Sequence, residues 1–311
     1  MSIRPHLPSE YVDYLTVQGL RTSRGPVQLN TYVSTSRTRF PLAYQANHFF
    51  QTLASGFTDS ELDLTPSGGR THAWSSTRAA RLFPVNMANA RIEALRALEV
   101  VRAQIIAGAG RTSEWRHVFT GQGRPDDIIA VMNLMVAHPA LLAGAPGSGD
   151  DSLGHFLDRG ELTAAGLNQM VQEHVFGLDC LGFVGTYLEW IGAVPRVPES
   201  EVANYARHQR MTEFTNLSEI TPRTVLLWDA TVDDRGHDRV QHIAIVDRVQ
   251  SAGEREAVVD ICQSSRGGPQ TNRGVRLVPA AGGGFAMRGH GDPPAPVSRN
   301  INRLAKHPRW S

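Results

Sequence analysis

From residue 224 onward the chain is a succession of strand-type runs with no helical period between them. They lie at 224–228 (Thr-Val-Leu-Leu-Trp), 242–246 (His-Ile-Ala-Ile-Val), 257–262 (Ala-Val-Val-Asp-Ile-Cys) and 274–278 (Gly-Val-Arg-Leu-Val). β-Branched and aliphatic residues dominate each run, which suits a pleated, half-buried surface. Upstream the period changes. Residues 162–175 and 180–191 read as helices, the second with Leu181, Val184, Leu188 and Ile191 on one apolar stripe. Helices gathered ahead of a run of strands argue an α+β domain, with a helix packed on an antiparallel sheet, rather than alternating βαβ units.

The first half of the chain carries weaker patterns. Residues 40–53 suit a short buried helix, and Ile92, Leu95, Leu98, Val101 and Ile105 recur at helical spacing within 86–107. A further helix is expected over 128–137, between Pro125-Asp-Asp and His138-Pro139. The stretch Gly-Ala-Pro-Gly-Ser-Gly-Asp-Asp at 144–151 reads as a linker. The expected organisation is a mainly helical region at 1–143, a linker at 144–152 and an α+β domain at 153–311. A fragment beginning near Gly149 is expected to fold alone, because it holds its own apolar stripe and strands.

Hydrophobic content of 41% with 20% charged residues fits a globular chain rather than a disordered one. No apolar run reaches the length of a bilayer span, so no membrane span is expected. The first ten residues lack an uninterrupted apolar stretch, and the chain is expected to stay in the cytoplasm unless a specialised secretion system exports it. Residues 1–124 carry a net charge of +6 and the remainder −5. The positive charge is almost all Arg and forms no dense block, so it reads as a solvated surface and no nucleic-acid partner is expected. Two cysteines, Cys180 and Cys262, are too few for a disulfide framework or a four-cysteine zinc site, while a single bridge between them stays open. His237 and His242 match no standard zinc spacing, and the glycine runs at 267–268 and 282–284 lack a following Lys-Ser/Thr. Neither a metal nor another cofactor is expected.

One constellation carries chemistry. Asp179 is a good N-cap and sets Cys180 in the first turn of its helix, where unpaired N–H groups and the helix dipole favour an anion. The thiol pKa is therefore expected to fall, and those N–H groups could stabilise an oxyanion. A thiolate nucleophile needs a base, and His242, at the head of a strand, is the candidate. Asp260 on the next strand is the expected orienting group for the His242 ring, with Gln263 and Ser264 as fallbacks. His237 is the rival base, in a loop. His174 is expected on the surface of the preceding helix, and Cys262 in ordinary core.

Asp-Cys-Leu-Gly-Phe-Val at 179–184 resembles the Asp-Cys-Ser-Gly-Phe/Leu-Val signature of the NlpC family of bacterial cell-wall cysteine peptidases, within the papain-like superfamily. Pro-Arg-Thr-Val-Leu-Leu-Trp at 222–228 is similar to that family's Pro-Gly-Asp-Leu-Val-Val-Trp segment, and residues 242–246 to its His-Val-Gly-Ile-Tyr segment. The run Val-Val-Asp-Ile-Cys at 258–262 resembles the following strand, with Asp260 at its polar third position. The resemblance covers roughly residues 150–310. It implies a cysteine peptidase or amidase acting on cell-wall stem peptides, with Cys180, His242 and Asp260 as its catalytic set. It also fits an exported antibacterial toxin, whose partners would be a secretion adaptor or an immunity protein besides the peptide or peptidoglycan substrate.

Three departures stand out. Leu181 replaces the signature serine, Arg223-Thr224 replaces Gly-Asp, and no Tyr-x-Trp-Gly-Gly-like segment precedes Cys180. If Leu181 borders the substrate, its apolar bulk predicts a changed preference beside the cleaved bond; if it turns inward, it says nothing of substrate. An acyltransferase, a glutamine deamidase or a catalytically silent interaction module on the same fold are the alternative readings.

Overall fold

The computed structural model describes residues 7–34, 36, 38–54, 117–143, 152–193, 202–228, 241–280, 283–288, 301 and 303–307. Its contacts divide the chain into two units. One comprises Met1–Gly19, Gln28–Tyr32 and Leu178–Ser311, and the other Leu20–Val27 and Val33–Gly177.

The second unit holds a short hairpin, β1 (Leu20–Thr22) and β2 (Gly25–Val27), with helices α2 (Pro41–Ala54), α3 (Pro125–Ala137), α4 (Ala140–Ala143) and α5 (Ala164–Gln172). Of these, α2, α3 and α5 were legible from periodicity. Pro125 occupies the first helical position of α3, with Asp126 and Asp127 in its first turn, the arrangement the helix dipole favours. Thr163 caps α5, its hydroxyl accepting the Gly166 N–H at 3.2 Å. The helix expected over 86–107 lies outside the described residues.

The first unit contains α1 (Pro8–Asp13), α6 (Cys180–Trp190), α7 (Val202–His208) and strands β3 (Thr212–Phe214), β4 (Val225–Trp228), β5 (His242–Ala252), β6 (Ala257–Ser265), β7 (Gly268–Pro279), β8 (Phe285–Arg288) and β9 (Arg303–Lys306). The seven strands form one sheet in the order β3-β9-β4-β5-β6-β7-β8, and every neighbouring pair is antiparallel. A bridge between Phe285 and Ile301 helps to curl it. The α+β expectation holds at this level. Strands β5, β6 and β7 outrun the apolar stretches that announced them. Once a hairpin closes, backbone pairing carries the ladder through polar residues such as Gln263, Gln270 and Asn272.

One face of the sheet builds a core from Leu226, Trp228, Ala244, Val246, Val259 and Ile261, covered by Leu217 and Ile220. The alternation of side chains along a strand sends Ile243, Ile245, Cys262 and Ser264 to the other face. There α6 packs on β5 and β6. Ser264 Oγ donates to the Leu178 carbonyl at 2.6 Å, which ties the approach to α6 onto β6. The helix is buried almost all round: Phe183, Val184, Tyr187 and Leu188 have no solvent exposure.

The contacts divide the chain elsewhere than the expected linker, whose residues 144–151 lie outside the described set. Residues near the N-terminus are part of the sheet-bearing unit. Pro8 and Glu10 start α1, and Glu10 accepts the Leu7 N–H at 3.2 Å. The buried Asp247 carboxylate accepts the Ser9 N–H at 2.8 Å. Tyr11 is fully buried, its ring 5.7 Å from Phe183 and 5.1 Å from Trp190, and its hydroxyl donates to Thr186 Oγ1 at 2.9 Å. Further on, Leu29 N–H donates to Leu15 O, and Thr31 O accepts the Leu178 N–H at 3.1 Å. A fragment starting near Gly149 would lack all of these contacts, which belong to the sheet-bearing unit's own core.

Candidate active site

Asp179 has the extended backbone of an N-cap, and its Oδ1 accepts the Gly182 N–H at 2.5 Å. That bond starts α6 at Cys180, as the sequence predicted. The sulfur faces the N–H of Ile243, the first residue after His242, together with the N–H groups of Leu181 and of Cys180 itself. Cys180 therefore meets the peptide group that follows His242, while alternation along β5 places the His242 side chain with Trp228 and Ala244, on the face opposite Ile243.

The thiol itself corrects an expectation. Burial pushes it from an ordinary 9.0 up to about 12, the Asp179 carboxylate adds to the rise, and the three N–H groups oppose it without prevailing. A helix start stabilises an anion only as far as the anion remains solvated or paired. Here Cys180 is 7% exposed and the charge acting on it is negative, so desolvation wins.

His242 pairs with Trp228 across β4 and β5, and the two rings lie 5.1 Å apart. Its Nε2 meets Gln263 Oε1 at 2.5 Å. An amide oxygen only accepts, so Nε2 carries the proton and Nδ1 is the basic nitrogen of the neutral ring. Gln263 is 1% exposed, and its own NH2 donates to Asn272 Oδ1 at 2.8 Å.

Asp260 stands apart from this group. It pairs with Arg248, six residues along β5 from His242, a span of about 20 Å at strand rise. Its Oδ1 accepts from Gln250 Nε2 and from the Gly274 N–H, both at 2.8 Å, so it ties β5 to β7. Irregular pairing between Val246 and Arg248, and between Val259 and Ile261, shifts the register on either side of it. The side chain bonded to the His242 ring is thus not Asp260 but Gln263, one of its fallbacks, while the other, Ser264, is bonded to Leu178 O.

The remaining candidates are also placed. Cys180 and Cys262 are both free thiols, which closes the question of a bridge between them. Cys262 is fully buried, with Sγ 3.2 Å from Thr271 Oγ1, and burial raises its pKa. Leu181 is 8% exposed beside the fully buried Val184 and Leu188, which makes it part of the helix's packed stripe. His237 lies outside the described residues. His174 sits just beyond α5 in a left-handed conformation, its ring 5.5 Å from Phe40, and not on the helix surface. Among the described residues no cluster of His, Cys, Asp and Glu could hold a metal ion, and no helix is long and apolar enough to cross a membrane. Asn272 was missed because the strand signal was read only from Gly274, where its apolar residues begin. No family model, curated protein or solved structure matches the chain.

Proposed function

We propose that the chain is a cysteine-dependent amide hydrolase with Cys180 as nucleophile and His242 as base. The observation that carries this reading is the Cys180 sulfur set against the N–H of Ile243, the residue that follows His242, whose Nε2 is held by Gln263. In the proposed reaction His242 Nδ1 takes the Cys180 proton, and the sulfur attacks the amide carbonyl carbon. The oxyanion collapses as the imidazolium gives its proton to the departing amine, leaving a thioester on Cys180. Water, deprotonated by the now neutral ring, attacks the thioester and releases the acid, and the thiol recovers its proton from His242. Because the resting thiol is neutral, proton transfer accompanies attack and no standing thiolate precedes it. Gln263 favours the protonation pattern this needs.

The sequence resemblance favours bacterial cell-wall stem peptides as the substrate class and an exported antibacterial effector as the context. One observation favours a second reading, a silent interaction module: burial and the Asp179 charge both work against an ionised sulfur. Incubation of the protein with purified sacculi, followed by mass analysis of released peptides, tests the first reading. Release by wild type and Cys262→Ala, with loss in Cys180→Ala and His242→Ala, is the expected result. Equal release by wild type and His242→Ala would sink the dyad, and no release from sacculi or simple amides would leave the silent module.

A further inference from the structure

Two amides in series lie behind His242. Gln263 on β6 presents Oε1 to the ring at 2.5 Å and its NH2 to Asn272 Oδ1 on β7 at 2.8 Å. A carboxamide has two orientations of nearly equal shape, related by a half-turn that exchanges oxygen for NH2. With the oxygen toward His242, Nε2 holds the proton and Nδ1 holds the lone pair. With the NH2 toward His242, the proton moves to Nδ1, and the basic nitrogen points into the sheet at Gln263. Only the first orientation leaves the ring able to accept a proton on its other side.

We propose that Asn272 is a positioning residue that selects the productive tautomer of His242 by setting the orientation of the Gln263 amide. In this structure Asn272 presents Oδ1, which accepts and cannot donate, rather than its own NH2, so the Gln263 NH2 faces β7 and the oxygen is left for the ring. Gln263 is almost fully buried, so water offers little alternative to these two partners and the amide is held by protein groups. The strand ladder fixes the spacing: Gln263 pairs with Gln270 and Ile261 with Asn272, which sets Asn272 diagonally across from Gln263 on one face. This inference rests on the reading of His242 as the base, and adds to it a residue that never touches substrate.

The test uses full-length Asn272→Ala and Asn272→Asp. The aspartate oxygen also accepts only, so it preserves the orientation that the alanine releases. Ring nitrogen shifts of His242, from long-range proton–nitrogen correlation at neutral pH, report the tautomer with no substrate present. Wild type and Asn272→Asp are expected to show the Nε2–H form, and Asn272→Ala a mixture. On an amide substrate that wild type cleaves, Asn272→Ala should lose about tenfold in kcat with KM unchanged, as expected for one lost hydrogen bond, and Asn272→Asp should recover it. Identical ring shifts in Asn272→Ala and wild type overturn the proposal. If the alanine variant does not fold, the aspartate variant decides alone, an Nδ1–H ring there overturning the idea and an Nε2–H ring supporting it. A tautomer that responds in a protein that cleaves no amide supports the positioning role and refutes the hydrolase reading instead.

Discussion

Replacing Asp179 by Asn separates two effects that one carboxylate exerts on Cys180. The side chain caps α6 through the Gly182 N–H, and its charge raises the neighbouring thiol pKa. Asn caps about as well as Asp, so the helix start survives while the charge goes. At pH 7 a thiol at about 12 is ionised to about one part in 10^5, against about one in 10^2 at the ordinary 9.0. A more basic thiolate is intrinsically more nucleophilic, which recovers part of that thousandfold deficit. With the usual dependence, the net slowing is roughly fiftyfold before any effect of limited access. Removing the adjacent charge should lower the pKa by on the order of one unit and speed alkylation about threefold. The assay is iodoacetamide labelling in a Cys262→Ala background, followed by intact mass across pH 7 to 10, with glutathione as the reference thiol. Wild type should label far more slowly than glutathione, Asp179→Asn faster than wild type, and Asp179→Ala should lose about 1 kcal/mol of stability with its cap. Wild-type labelling as fast as glutathione at pH 7, or slower labelling in Asp179→Asn, would refute the argument that burial and the Asp179 charge outweigh the helix start.

Tyr11→Ala empties a buried aromatic site and should destabilise by about 3–5 kcal/mol in denaturant melts. Tyr11→Phe should cost only about 1 kcal/mol, because Thr186 still donates to Gly182 O at 2.6 Å; equal midpoints for Tyr11→Ala and wild type would mean that α1 contributes nothing to the sheet-bearing unit. Burial raises Cys180 and Tyr187 to about 12 and also raises Cys262 and Tyr205, so folded and unfolded chains are alike below about pH 8, where all four stay largely protonated in both. As pH climbs the unfolded chain ionises first, and at pH 10 Cys180 alone should cost about 1.4 kcal/mol relative to pH 8, so an unchanged urea midpoint between those values would contradict its burial. Gly268→Ala should destabilise by more than about 1 kcal/mol, since φ is +81° and a Cβ would clash with the Asn30 carbonyl; a neutral result in thermal melts would show that the 28–32 segment yields there.

Much of the sheet-bearing unit was legible from local chemistry. The cap at Asp179, the apolar stripe of Leu181, Val184 and Leu188, and the four strand runs each report interactions between residues close in sequence, and each appears where it was expected. His242 at a strand head and Cys180 at a helix start were legible for the same reason. What those residues experience was decided by the tertiary structure. Burial is a property of everything packed around the sulfur, so it reversed the pKa direction that the helix start alone suggested. Register is set by backbone pairing over whole strands. The shifts between Val246 and Arg248 and around Asp260 put that carboxylate on Gln250 and Gly274, while Gln263 reached His242. Tyr11 and Asn30 meet partners more than 170 residues away, at Thr186 and Gly268, and no local pattern carries such a pairing. Apolar periodicity encodes which face of an element is buried; which residues then meet across that face depends on chain crossings that only the assembled fold specifies.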